Sequence, residues 1–212
     1  MKTGALLMVW LAAMPVWANE IKLQNAQVET SVAAVENGAE LLMNACRSCH
    51  SLKYIRYRDL AGFGMDKQKI DVWRGGQPMD APLTSLMPDV VAMQAFGKIP
   101  PDLSLITRAR EGGADYVYSY LISYYTTQEG MPGNHLFPET KMPDALGISG
   151  AADPAQRSEI QGKARHIVSF LAWAADPHEG ERHRLGYYVI GYLIVLTALL
   201  YAVKNRVWAR LK

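Results

Sequence analysis

The chain has two cysteines in 212 residues, and both lie in the five residues CRSCH, Cys46 to His50, with a histidine directly behind the second. Two thiols at this spacing can each add to one vinyl group along the same edge of a porphyrin, and the adjacent imidazole then lies beneath the iron. A redox dithiol shares the C-x-x-C spacing but wants a thioredoxin-like βαβ context, whereas the pattern before Cys46 is helical. A structural zinc site wants further ligands from another close pair, and His135, His166, His178 and His183 form none with cysteine. The motif therefore reads as the attachment point of one covalent c-type haem, with Cys46 and Cys49 as sulfur donors and His50 as the proximal iron ligand.

The ligand on the other face of the iron decides the chemistry. Closure by methionine gives single-electron transfer, whereas an open position binds oxygen, peroxide or CO. Seven methionines fall between residues 19 and 184: Met43, Met65, Met79, Met87, Met93, Met131 and Met142. Most can serve as gap-fillers or surface residues. Met142 is favoured because FPETKMPDALG sets it before a proline, where the chain is extended and can run past a haem face; Met131 and His135 compete with it.

The elements that must position these groups are legible in part. Val28, Val32, Val35, Ala39 and Leu42 recur at helical spacing and run into Cys46, so the motif sits at a helix end. A second helix is marked by Asp153 as N-cap, Pro154 at the first turn and Gln156 completing a capping box, with Ile160, Ala164, Ile167, Leu171 and Ala174 on one face and Asp176-Pro177 as its stop. Residues 101–125 read as helical in two pieces broken at Gly112-Gly113. Residues 61–101, with five glycines and five prolines, and residues 126–153, with four and three, read as long loops. A small core wrapped by such loops needs a further packing partner, which a large apolar cofactor supplies.

Net charge is +2, which gives no electrostatic case for a nucleic-acid partner. The apolar excess lies at the two ends. Residues 1–18 carry a lysine, a short apolar run and the site Val16-Trp17-Ala18, the grammar of a cleaved export signal; a retained anchor is the alternative. Residues 185–203 are uncharged and reach roughly 28 Å as a helix, enough to cross a bilayer. Lys204, Arg206, Arg210 and Lys212 follow, which predicts a membrane anchor with a cytoplasmic C-terminus; a buried core helix is the alternative. One exported domain at 19–184, the anchor at 185–203 and a basic tail at 204–212 complete the reading.

Several phrases together resemble one family. CRSCHSLKYIRYRDL, IPPDLSLITRAREGGADYVYSYL, FPETKMPDAL, FLAWAADP and the C-terminal anchor are similar, in order and over essentially the whole mature chain, to the cytochrome c1 family of bacterial type. Its members are the haem subunit of ubiquinol-cytochrome c oxidoreductase, the cytochrome bc1 complex. The resemblance implies a mostly α, cytochrome c-like haem domain with long loops and one C-terminal transmembrane helix. It implies haem c on Cys46 and Cys49, with His50 and Met142 as iron ligands. Pro100 and Pro101 match a diproline against the haem, Leu103 and Ile106 match apolar contacts, Arg110 matches an arginine facing a propionate, and Tyr116 and Leu121 match pocket positions. Residues 61–99 match weakly, and no site is taken from them.

The implied function is electron transfer in a respiratory chain, from a Rieske iron-sulfur protein through the haem to a cytochrome c acceptor. The partners are cytochrome b, the Rieske protein, the acceptor and the lipid bilayer, within a dimeric complex. The chain is expected in the bacterial inner membrane with its haem domain in the periplasm. It is not expected to be a catalyst alone but a redox subunit of the quinol-oxidising enzyme. The rival readings are an independent anchored cytochrome c that feeds a terminal oxidase, and a haem peroxidase or gas sensor with an open sixth position.

Overall fold

In the computed structural model, which describes residues 22–210, helix α1 runs from Val32 to Ala45. The segment read as an export signal lies outside the described residues, as do Leu211 and Lys212. Ser31 starts α1: its hydroxyl accepts the Ala34 amide at 3.3 Å, satisfying one of the donors a first helical turn leaves orphaned. The helix thus begins a turn later than the stripe predicts, and Val28 and Val32 are exposed. The preceding backbone is committed elsewhere: Gln24 N donates to Ser119 Oγ at 2.7 Å, Ala26 N to Asp115 Oδ1 at 2.8 Å and Glu29 N to Ser169 Oγ at 2.9 Å.

The core forms where α1 crosses α7 (Pro154–Ala175). Ile160, Ala164, Ile167, Leu171 and Ala174 of α7 are all buried, as are Val35, Ala39 and Leu42 of α1. Gly38 lets the two backbones approach, since a Cβ there would overlap the His166 carbonyl oxygen and stand 2.9 Å from Phe170 Cβ. Asp153 caps α7 through the Ala155 amide at 3.2 Å. The capping box expected at Gln156 does not form; that side chain is exposed, and Asp153 alone serves the first turn.

Residues 61–101 are not the long loop predicted. After β1 (Leu52–Arg56) come α2 (Tyr57–Phe63), α3 (Lys67–Arg74), β2 (Pro82–Leu83) and α4 (Asp89–Phe96). β1 and β2 pair antiparallel, Leu52 against Leu83 and Arg56 against Pro82. The glycines read as loop signals are in fact helix stops: Gly64, Gly75 and Gly97 follow α2, α3 and α4 with φ of 98°, 56° and 68°, the left-handed conformation that favours glycine.

The helical region beyond Pro101 is broken as expected, into α5 (Ile106–Ala109) and α6 (Gly113–Ile122). Its end is a correction, because residues 124–126 form β3 rather than a last helical turn. β3 pairs with β4 (Pro132–Asn134), Tyr124 against Asn134. From there to Asp153 only a 3₁₀ turn at Ile148–Gly150 interrupts the coil. Three residues after α7, α8 runs unbroken over Glu179–Ala209. Its apolar side chains are exposed all round, and among the described residues it is the one helix long and apolar enough to cross a membrane. The architecture is mostly helical, with one long apolar C-terminal helix.

Candidate functional site

A cavity of about 280 Å³ lies between the end of α1, the segment from Phe96 to Arg110, α6, the loop 137–145 and α7. At the end of α1 the chain turns sharply. Cys46 N and Arg47 N both donate to Leu42 O, and Cys49 N and His50 N both donate to Cys46 O, at 2.8 to 3.1 Å. Both sulfurs and the imidazole thereby line one wall of the cavity. Burial, with a smaller contribution from Cys49, pushes the Cys46 thiol up to about 11. A redox dithiol needs a depressed thiol, so that alternative is not supported. Nor does any cluster of three or more His, Cys, Asp and Glu suited to a metal ion occur among the described residues.

The His50 ring is oriented by the diproline segment. Its Nδ1 lies 2.8 Å from Pro101 O. A carbonyl oxygen can only accept, so Nδ1 carries the proton and Nε2 keeps its lone pair. Burial lowers the imidazole below its ordinary value, outweighing the hydrogen bond to Pro101 and the charge of Asp102, so the ring is a neutral base suited to an iron. The rest of the PPDLS phrase braces β1: Asp102 accepts from Lys53 N and Ser104 N, and the fully buried Ser104 accepts from Tyr54 N.

Met142 also lines the cavity, the one methionine among the described residues to do so. Met131 is 65% exposed, and His135 stacks on Tyr125 with ring centroids 4.1 Å apart, off the wall. The 137–145 loop is a hydrogen-bonded structure despite its lack of regular pattern. The Tyr124 hydroxyl donates to Met142 O at 3.0 Å and lies 3.1 Å from Tyr120 Oη. Tyr120 Oη and Thr140 Oγ1 are 2.5 Å apart, and Met142 N donates to Thr140 Oγ1 at 3.2 Å. The buried Asn134 accepts from Leu136 N and Phe137 N, and Asp144 from Gly147 N and Ser149 N.

The structure brings together every residue expected at the site: Cys46, Cys49, His50, Pro100, Pro101, Leu103, Ile106, Arg110, Tyr116, Leu121 and Met142 all line this cavity. Arg110 is solvent-exposed, its guanidinium 5.9 Å from the Tyr116 ring centroid. The sequence reading missed Phe96, Lys98, Tyr120, Phe137, Thr140 and Lys141, and took Ile167 and Leu171 for packing residues alone. Apolar walls, two thiols, a neutral imidazole and a thioether fit a haem c: the cysteines could attach it, and His50 and Met142 could donate to its iron.

A profile of the Cytochrome C1 family matches residues 23–74 and 65–211. The chain is 33% identical to the cytochrome c1 of Allochromatium vinosum, over 88% of each chain. It is 33% identical to the mitochondrial cytochrome c1 heme protein of Neurospora crassa, over 84% of this chain and 63% of that one. It is 30% identical to the cytochrome b/c1 of Bradyrhizobium diazoefficiens, over 83% of this chain, and spans about a third (33%) of that longer protein.

Proposed function

The chain belongs to the cytochrome c1 family, and we propose that it is the membrane-anchored haem subunit of a bacterial cytochrome bc1 complex. In this reading residues 19–184 form a periplasmic haem domain after cleavage of residues 1–18. Residues 185–203 cross the inner membrane and 204–212 lie in the cytoplasm. The basic cluster behind the apolar stretch supports that orientation. Electrons pass from a Rieske iron-sulfur protein through the haem to a cytochrome c. A partner cytochrome b is supported by the relative whose name joins b and c1.

The observation that carries the reading is the convergence of Cys46, Cys49, His50 and Met142 on one apolar cavity. When bound, the haem supplies reversible one-electron exchange between ferric and ferrous iron. Each thiol, Cys46 and Cys49, would add its S–H across one vinyl double bond, giving two thioethers with no group lost. The hydrogen bond to Pro101 holds the His50 ring, whose Nε2 would donate to the iron. Tyr124 and Thr140 hold the Met142 backbone, so its sulfur would be presented to the iron by an ordered loop. Pro100, Leu103, Ile106 and Leu121 would keep water from the bound group, and Arg110 and Tyr116 complete the wall. A methionine ligand and an apolar surround both favour the ferrous state and raise the potential.

The protein purified from membranes in mild detergent tests this. Haem reduction by a ubiquinol analogue, fast and blocked by a quinol-oxidation-site inhibitor, with a cytochrome b and a Rieske protein in the same preparation, is the expected result. A haem that stays oxidised in an intact preparation free of partners would instead identify an independent anchored shuttle. Replacing Met142 by Ala must abolish the methionine-to-iron charge-transfer band; its survival excludes Met142 as the ligand.

A further inference from the structure

The cavity wall carries three cations, Lys98, Arg110 and Lys141, and no aspartate or glutamate. The resemblance accounts for Arg110 alone. The two lysines come from different segments of the chain. Lys98 lies two residues before the diproline that orients His50, and Lys141 directly precedes Met142. They meet near one edge: Lys98 Nζ is 6.0 Å from the centroid of the Phe137 ring, on the loop that carries Lys141. Lys141 Nζ stands 3.8 Å from where a Cβ on Gly97, the neighbour of Lys98, would lie. Neither lysine forms an ion pair among the described residues.

Lys98, Arg110 and Lys141 are all exposed, so each stays hydrated at the rim of the cavity, where an anionic group carried by a bound ligand would gain from all three. We propose that Lys98 and Lys141 bind the haem propionates, alongside Arg110, and thereby raise the reduction potential. The inference rests on the reading of the cavity as a haem site. A porphyrin attached at Cys46 and Cys49 and ligated by His50 brings two carboxylates into a wall that has no other anion. Neutralising them removes negative charge that would otherwise stabilise ferric iron, so the lysines favour the ferrous form.

The full-length protein in detergent, with its haem attached, provides the test. Lys98→Met, Lys141→Met and the double variant are followed by spectroelectrochemical titration and by the propionate bending band in the resonance Raman spectrum. The expected result is a lower midpoint potential in each single variant, a lower one still in the double, and a displaced propionate band. Lys→Arg at the same positions restores both readouts, which a purely structural role would not do. Unchanged potential and band in the double variant overturn the proposal. Should the salt dependence of cytochrome c reduction change while both readouts stay fixed, the lysines face an acidic docking partner, and the proposal is likewise overturned. Wild-type protein without covalent haem, by the pyridine haemochrome assay, would sink the underlying reading itself.

Discussion

Gly38→Ala probes the contact on which the site is built. α1 delivers Cys46 to the cavity, and α7 supplies Ile167 and Leu171 to the same wall, so the separation of these helices sets the width of the site. An added Cβ would overlap the His166 carbonyl oxygen and stand 2.6 Å from its carbonyl carbon, against 3.4 Å or more in ordinary contact. The overlap is tightest at the carbonyl oxygen and falls on α7 backbone, which cannot rotate away, so the helices must part by more than the 3.4 − 2.6 = 0.8 Å that the carbonyl carbon alone requires. Overpacking of this kind costs about 1–3 kcal/mol, at the upper end where backbone is struck. Against it stands the gain of alanine over glycine inside a helix, about 1 kcal/mol. The clash wins, and a net loss of about 2 kcal/mol is expected. Urea titration of the detergent-solubilised holoprotein, followed by far-ultraviolet circular dichroism, reads it as a lower midpoint. A variant about 1 kcal/mol more stable than wild type would show propensity acting alone and would refute the close crossing.

Other expectations follow from single groups. In the haem-free chain Cys46 titrates near 11 when folded and near 9.0 when unfolded. The folded state therefore holds the extra proton between those values, and stability falls as pH rises through that window, by about 3 kcal/mol in all; urea midpoints should fall more steeply for wild type than for Cys46→Ala, which still declines above pH 10 because burial also raises the Tyr124 hydroxyl from its ordinary value of 10.0. Arg47 is buried and donates to Thr84 O, Trp73 O and Tyr57 Oη. Arg47→Met strands Thr84 O, leaves Trp73 O with the Tyr57 hydroxyl alone, and should cost about 2–3 kcal/mol in the same denaturation assay. Tyr124→Phe removes the hydroxyl on Met142 O and should weaken the loop by about 1 kcal/mol, seen as loss of the methionine charge-transfer band at lower urea than in wild type. Asp153→Ala, by removing the α7 cap, should lower stability by about 1 kcal/mol without changing the haem spectrum.

The attachment motif was legible because covalent chemistry forces its residues to be contiguous: two sulfurs on one porphyrin edge and a nitrogen beneath the iron leave little freedom in spacing. A distal ligand needs only one atom delivered by a loop. The sequence therefore left Met142, Met131 and His135 as rivals, and of the three only Met142 lines the cavity. α2, α3 and α4 escaped notice for a different reason. Each is seven or eight residues long, too short for a periodic pattern to emerge, and the glycines that end them resemble loop composition. Lys98 and Lys141 carry no signal in the sequence, since nothing in one dimension records that two segments 43 residues apart (141 − 98) share an edge. PPDLS shows the reverse case, a phrase legible by resemblance whose physical meaning emerged only in three dimensions. Its Pro101 carbonyl sets the tautomer of His50, while Asp102 and Ser104 hold β1 in place.

The same wiring explains how the site is tied to the membrane. Leu171 of α7 lines the cavity, and its carbonyl accepts from Thr107 of α5. Four residues later α7 ends, and only Asp176, Pro177 and His178 separate it from α8. Asp176 accepts from Arg108 of α5 at 3.1 Å and from Arg182 of α8 at 2.5 Å, and the hydrogen bond to Arg182 is the main cause that lowers its carboxyl below the ordinary range. Each ion pair is partly exposed and contributes little alone. Their value is geometric, because the carboxylate at the end of α7 joins α5 and α8 across a three-residue link. In the proposed role this matters, since electron transfer falls steeply with distance and a haem fixed above the bilayer keeps a constant span to membrane-bound partners. A flexible tether would suit a free shuttle instead, so the short braced junction weighs toward the subunit of a complex.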